Sequence, residues 1–170
     1  MLQNPLYNSE GFGFSGRILS KYISLASDNN QNVVLIDHSL ESSIPPLFKQ
    51  YLFYNNMLSR KTVSEISSVV KRSNYDYKNF KVSLCPKESL PLNYTIITLP
   101  DNKCKSTSSL SKNLSISQLS DGGEIYKIFN DKVCNKYMLN RYPIGIGLND
   151  LEVERLSEKL FCEKFITSFN

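Results

Sequence analysis

The stretch Gly11-Phe12-Gly13-Phe14-Ser15-Gly16 opens the part of the chain on which the fold prediction depends. An amphipathic segment, residues 17–26, follows it, and then comes the apolar run Val33-Val34-Leu35-Ile36, which ends at Asp37. Glycines permit a sharp turn and a close approach of the backbone to a ligand. A carboxylate at the end of the next strand can accept hydrogen bonds from ribose hydroxyls. The order of glycine turn, helix, strand and acid therefore indicates a domain that holds an adenosine-bearing cofactor.

Strand-like and helix-like patterns alternate along the rest of the chain. Helices are predicted at residues 17–26, 45–54, 62–72, 110–119 and 151–160, and strands at 33–36, 80–84, 94–99, 124–129 and 165–169. This alternation predicts an α/β fold, a Rossmann-like three-layer sandwich with a mostly parallel sheet that helices cover on both faces. The whole chain, residues 1–170, is expected to form a single domain.

Composition is that of an ordinary globular domain, with 41% hydrophobic and 21% charged residues. No apolar run approaches the roughly 18 residues that span a membrane, and there is no signal-peptide pattern, so we expect a cytoplasmic protein, for instance in a host cell. Cys85, Cys104, Cys134 and Cys162 have no C-x-x-C spacing and His38 is the single histidine, so reduced thiols and no metal site are expected. The net charge of +4 is compatible with an RNA partner but not diagnostic of one.

Residues 122–129 read Gly122-Gly123-Glu124-Ile125-Tyr126-Lys127-Ile128-Phe129. They resemble a strand of the FtsJ-like 2′-O-ribose methyltransferases, in which a glycine pair leads into an apolar strand that carries a lysine. The same family includes the cap methyltransferase domains of negative-strand RNA virus polymerases. The resemblance implies methyl transfer from S-adenosylmethionine to a ribose 2′-hydroxyl of RNA.

The resemblance also implies roles for individual residues. A lysine whose pKa is lowered by its surroundings can take the proton of the 2′-hydroxyl, and flanking carboxylates orient that lysine. The cofactor would lie against the glycine segment with its ribose on the acid that follows the next strand. The implicated residues are Gly11, Gly13, Gly16 and Asp37 for S-adenosylmethionine, and Asp101, Lys127 and Glu163 for catalysis.

Two features depart from the methyltransferase pattern. The family tetrad is Lys-Asp-Lys-Glu, with its first lysine upstream of the glycine segment, but residues 1–10 contain no lysine and make at best a poor strand. We therefore expect either a fragment or a methyltransferase-like domain that has lost catalysis. The alternative is a non-enzymatic protein-interaction module, viral or bacterial, on an α/β fold. Lys103, Lys105 and Lys112 surround a serine-rich stretch that is either a solvated loop or a phosphate-contacting loop.

Overall fold

In the computed structural model, the described residues form a six-stranded sheet and five α-helices. These residues are 14–37, 44–72, 75–85, 93–99, 102–105, 116–120, 125–138 and 150–169. In chain order the elements are α1 (Phe14–Asp28), β1 (Val33–Asp37), α2 (Ile44–Tyr54), α3 (Val63–Lys71), β2 (Phe80–Leu84), β3 (Thr95–Thr98), β4 (Ile116–Ser120), β5 (Ile125–Phe129), a 3₁₀ turn (Asn135–Tyr137), α4 (Asp150–Arg155), α5 (Glu158–Phe165) and β6 (Ile166–Phe169).

The strands of the sheet lie in the order β2-β1-β3-β5-β4-β6. β1 runs parallel to both of its neighbours, β2 and β3. The pairs β3–β5, β5–β4 and β4–β6 are antiparallel. The sheet is therefore mixed, and the prediction of a Rossmann-like three-layer sandwich with a mostly parallel sheet is wrong, although the broader α/β class stands.

The antiparallel half of the sheet contains a segment that the sequence pattern predicts as helical. Residues 116–119, expected at the end of a helix over 110–119, belong to β4, and residues 121–124 alone separate β4 from β5. Parallel neighbours need a crossover of about a dozen residues or more, so this short connection requires an antiparallel pair. Asp121-Gly122 in the connection is a hairpin signal, whereas a short apolar run does not distinguish helix from strand.

The sheet order also leaves no place for a glycine-bearing strand beside β1. In a Rossmann domain, the strand that leads into the glycine turn lies next to the strand that ends in the acid. Asp37 ends β1, but both edges of β1 are paired, with β2 on one side and β3 on the other. Gly16 lies inside α1 rather than in a turn that follows a strand.

The described helices pack on one face of the sheet, which we call the helix face. The strand residues that point into this core are Val33, Leu35, Phe80, Ile97, Leu119, Tyr126, Ile128 and Ile166. The opposite face, which we call the second face, carries a smaller cluster formed by Val34, Ile36, Ile96, Phe129 and Cys104. The two faces therefore differ in what covers them, and the second face has no described helix on it.

The four cysteines form two disulfides, so the prediction of reduced thiols is wrong. Cys85–Cys104 joins the residue after β2 to the segment 102–105, and Cys134–Cys162 joins the residue before the 3₁₀ turn to α5. Four cysteines allow three pairings, and only the folded chain brings two partners together. Each bridge closes a loop and is expected to stabilise the fold by about 3 kcal/mol.

Gly16 is buried where α1 packs against α2. A Cβ atom at this position would overlap the side-chain amide of Gln50 on α2. The missing side chain therefore permits the close approach of the two helices. This is a packing role, which the interpretation of Gly16 as part of a cofactor turn does not anticipate.

Replacing Gly16 with alanine tests this packing. Alanine gains about 0.5–1 kcal/mol over glycine inside a helix, but its Cβ displaces the Gln50 amide. We expect the change that Gly16→Ala makes in the free energy of unfolding to be about 1 kcal/mol more favourable in a Gln50→Ala background than in the natural sequence. A double-mutant cycle of urea unfolding measures this difference. Equal effects in the two backgrounds would contradict the packing role.

Candidate functional site

Four of the seven residues that the methyltransferase resemblance implicates lie in the described part of the chain. They are Gly16 in α1, Asp37 in β1, Lys127 in β5 and Glu163 in α5. The other three, Gly11, Gly13 and Asp101, lie outside the described residues. The sheet divides the four described residues between its two faces.

Asp37 is the last residue of β1 and is buried, with 2% of its surface exposed. Val33 and Leu35 of the same strand pack in the helix-face core, so strand alternation directs the Asp37 side chain to that face as well. Its backbone carbonyl accepts a hydrogen bond from the Cys85 N–H at 3.1 Å. Asp37 and Gly16 are therefore on the same side of the sheet.

Lys127 points to the second face of the sheet. Its neighbours along β5, Tyr126 and Ile128, are buried in the helix-face core, so Lys127 projects the opposite way. Its side chain is exposed, although β5 is an interior strand between β3 and β4. An exposed lysine at the middle of a sheet is available to bind a ligand.

Glu163 lies on the other side of the sheet from Lys127. It belongs to α5, whose Phe161 and Phe165 pack into the helix-face core. It does not head a late strand, because β6 begins at Ile166. The structure therefore does not bring Glu163 and Lys127 together.

A row of polar side chains crosses the second face at the level of Lys127. The strand register sets Lys127 opposite Thr98 of β3 and Gln118 of β4, and Gln118 opposite Thr167 of β6. Both threonines are buried and Gln118 is half-buried. We call these four residues the polar row. The next row along the same strands is apolar and consists of Val34, Ile96, Phe129 and Ile116.

Residues 102–105 cover the β1 end of the second face. The Asn102 Nδ2 donates a hydrogen bond to the Ile36 carbonyl at 2.9 Å, and the Asn102 Oδ1 accepts one from the Cys104 N–H at 2.7 Å. The disulfide of Cys104 fastens the segment to the end of β2. Ile36 is fully buried as a result, while Lys127 stays exposed.

A buried pair that sequence interpretation missed connects α1 to the turn after β5. The Tyr22 hydroxyl donates a 2.7 Å hydrogen bond to Asp131 Oδ1, which also accepts the backbone N–H groups of Val133 and Cys134 at 2.9 Å each. Burial raises the pKa of Asp131, although these hydrogen bonds offset part of the rise. Burial, together with the charge of Asp131, raises the pKa of Tyr22 well above its ordinary value. An aspartate at the start of a turn is typical of an Asx turn, which was the available signal.

Exposed apolar side chains lie on α2, α3 and the loop between them. Their exposed fractions are 66% for Phe53, 57% for Leu58, 54% for Val63 and 44% for Val70. Residues 44–72 contain one acid, Glu65, and five basic residues, namely Lys49, Arg60, Lys61, Lys71 and Arg72. The net charge of this segment is therefore +4, the same as that of the whole chain. We call this region the α2–α3 surface.

A pocket of about 530 Å³ lies at the amino ends of β1 and β2. Its lining consists of Ser27, Asp28, Tyr51, Asn55, Met57, Lys78 and Asn79. Ligands of open parallel sheets bind beyond the carboxyl ends of the strands. This pocket is therefore at the opposite end of β1 from Asp37, where the cofactor was expected.

The described part of the chain contains neither a metal-binding cluster nor a membrane-spanning helix. Within it, no three histidine, cysteine, aspartate or glutamate side chains are grouped so as to hold a metal ion. None of its helices is long and apolar enough to cross a membrane.

Removal of the Asp131 carboxylate tests the buried pair. Asp131→Ala leaves two backbone N–H groups and the Tyr22 hydroxyl without their acceptor, so we expect a loss of about 2–4 kcal/mol in the free energy of unfolding. Tyr22→Phe, which removes one hydrogen bond, should cost about 1 kcal/mol.

The pH dependence of this loss has a defined sign. Because the native pKa of Asp131 is raised above 3.8, the folded protein binds the proton more tightly than the unfolded chain. Asp131 therefore stabilises the fold most at low pH, and this contribution falls as the pH rises through the window above 3.8. Urea unfolding should show a larger cost of Asp131→Ala near pH 4 than near pH 7, and a cost that grows with pH would contradict the assignment.

Comparison with known proteins adds no family to this description. No protein-family model, no curated protein and no solved structure matches the chain. The resemblance to the 2′-O-ribose methyltransferases stays a prediction from short motifs.

Proposed function

We propose that the chain is a non-enzymatic protein-interaction module whose α2–α3 surface binds an acidic, amphipathic helix of a partner protein. The observation that carries this proposal is that one segment, residues 44–72, combines four exposed apolar side chains with a net charge of +4. Exposed apolar patches with polar rims are typical of binding sites in soluble proteins.

The loop between α2 and α3, which carries Leu58, is held in place by hydrogen bonds. The Thr62 hydroxyl donates a hydrogen bond to the Met57 carbonyl at 2.6 Å, and the Val63 N–H donates one to the Ser59 carbonyl at 3.1 Å. On the inner side, Met57 and Ile66 pack against the helix-face core. A surface that is already ordered loses little conformational entropy when a partner docks.

The exposed valines of α3 set the length of the surface. Val63 and Val70 are seven residues apart in the sequence, which places them on one side of the helix about 10 Å apart. Both remain more than two-fifths exposed, at 54% and 44%. A partner helix that presents apolar residues at positions i, i+3 and i+7 matches this spacing.

The basic side chains define the charge of the partner. All five are exposed. The guanidinium of Arg72 donates hydrogen bonds to the side chain and carbonyl of Ser68, which hold it near the end of α3 without neutralising it. Carboxylates on a partner are attracted to such a surface, which raises the association rate and selects against basic partners.

An acidic protein helix fits this surface better than nucleic acid or lipid. Single-stranded nucleic acid binds by stacking on aromatic rings, but only Phe53 of the four exposed apolar side chains is aromatic. A helix that lies in a membrane interface buries a broad apolar face in lipid. α3 has nine residues and turns Ile66 and Val69 toward the core of its own protein.

A designed peptide tests the proposed surface. The probe is a helical peptide of leucine, alanine and glutamate with leucines at i, i+3 and i+7, and the control peptide carries lysine in place of glutamate. We expect saturable binding of the glutamate peptide that weakens with salt and that Leu58→Glu or Val63→Glu weakens about tenfold or more. Leu160→Glu, at a 39% exposed position on α5, is the matched control and should leave the affinity unchanged.

Two outcomes would contradict this partner class. One is equal binding of the glutamate and lysine peptides, or equal binding by Leu58→Glu and the natural chain. The other is tighter binding of single-stranded RNA or anionic vesicles than of the peptide, with the same dependence on Leu58 and Val63.

The S-adenosylmethionine-dependent RNA methyltransferase activity stays a prediction. The geometry does not favour it, because both edges of β1 are occupied by other strands and because Lys127 and Glu163 lie on different faces of the sheet. Calorimetric titration with S-adenosylmethionine examines it directly. Saturable binding that Asp37→Ala weakens would restore the methyltransferase as the better account.

The two disulfides bear on the compartment in which the protein works. Structural disulfides persist in oxidising surroundings, and the two bridges therefore do not favour the cytoplasmic location, which stays a prediction. Residues 44–72 contain no cysteine, so the proposed interaction does not use a thiol.

A further inference from the structure

We propose that Lys127, together with Thr98 and Gln118, forms a binding site for a phosphate group on the second face of the sheet. The α2–α3 surface belongs to the helix layer on the other face. The phosphate site is therefore separate from the proposed protein interaction and does not depend on it.

The strand register brings the three side chains close together. Lys127 lies opposite Thr98 on one side and opposite Gln118 on the other. Directly opposed residues on one face of a sheet have Cβ atoms about 4.5–5.5 Å apart. An oxyanion bound by the Lys127 ammonium therefore lies next to the side chains of both neighbouring strands.

These side chains have unused hydrogen-bonding capacity. With the described residues, the Lys127 ammonium makes no hydrogen bond or ion pair and the Thr98 hydroxyl makes no hydrogen bond. The Gln118 Oε1 is buried without a partner. The Gln118 NH₂ group is not among the buried atoms without a partner, so it is the end of the carboxamide that can donate to a ligand. An ammonium, a hydroxyl and an amide are the donors that phosphate oxygens accept.

The surroundings of Lys127 favour an anion. None of the described strand residues that share its face is acidic, and Lys81 of β2 adds a second positive charge to that face. Lys103, on the segment that covers the β1 end, is exposed as well. An anion that approaches Lys127 therefore meets no competing carboxylate among these residues.

The polar row also excludes water from one side of the site. Thr98 is 4% exposed and Thr167 is 7% exposed, whereas Lys127 is exposed. A charge-assisted hydrogen bond that forms next to these buried side chains is stronger than one that forms in bulk water. Free inorganic phosphate, a mononucleotide and a nucleic-acid backbone all present the required group, so the experiment has to separate these sources.

Two-dimensional ¹H–¹⁵N NMR of the full chain tests the site. The titrants are inorganic phosphate, adenosine monophosphate and a short single-stranded RNA, each at constant ionic strength. We expect saturating shifts of the Thr98, Gln118 and Lys127 amides and an affinity that Lys127→Gln lowers about tenfold or more. Lys127→Arg should retain most of the affinity. Lys132→Gln removes another exposed lysine, in the turn after β5, and should change nothing.

The outcomes separate the ligand sources and the two proposals. Equal affinities for phosphate and the mononucleotide identify a site for a free phosphate group, and RNA affinity about tenfold higher that still requires Lys127 identifies a backbone site. Absence of saturating shifts with all three titrants, or equal shifts in Lys127→Gln, would overturn the proposal. Leu58→Glu, which disables the proposed protein interaction, should leave phosphate binding intact.

Discussion

The antiparallel pairing of β3 with β5 is the contact on which the rest of the structure depends. It consists of three residue pairs, Ile96–Phe129, Ile97–Ile128 and Thr98–Lys127. It joins the parallel strands β2, β1 and β3 to the antiparallel strands β5, β4 and β6, so that one sheet results. If β5 shifted by one residue along β3, the buried Ile128 would turn out of the helix-face core. The free-energy cost of exposing Ile128 therefore fixes the register of the β3–β5 pair. The same register sets Lys127 beside Thr98 on the second face.

The helix layer is attached to this joint by specific bonds as well as by apolar packing. The Tyr22 hydroxyl of α1 binds Asp131 in the turn that directly follows β5. The Cys134–Cys162 disulfide then connects the same turn to α5. α1 and α5 are thereby held to the region next to the β3–β5 joint, which leaves α2 and α3 to present an outer surface. In this account, the sheet with α1 and α5 is the scaffold, and the proposed binding surfaces lie on its two sides.

Local sequence predicted β1, β3 and β5 because each is an apolar run bounded by turn residues. The predicted pairing, a mostly parallel sheet, was wrong, because β3–β5, β5–β4 and β4–β6 are antiparallel. Local sequence assigned residues 116–119 to a helix because a short apolar run fits both structures. It missed the break between α4 and α5, although Ser157 accepts a hydrogen bond from the Leu160 N–H and is a common start signal for a helix. Strand alternation alone places Lys127 on the face opposite to Tyr126 and Ile128. Its neighbours in the polar row depend on long-range register, which no local pattern contains.

Cross-strand nuclear Overhauser effects between β3 and β5 test this account most directly. In an antiparallel pair, hydrogen-bonded and non-hydrogen-bonded positions alternate, and the latter bring α-protons close together. The structure predicts Hα–Hα effects either at Ile97–Ile128 or at both flanking pairs, Ile96–Phe129 and Thr98–Lys127. Absence of all of these, with β5 paired parallel to a neighbour instead, would contradict the mixed sheet and with it the position of Lys127.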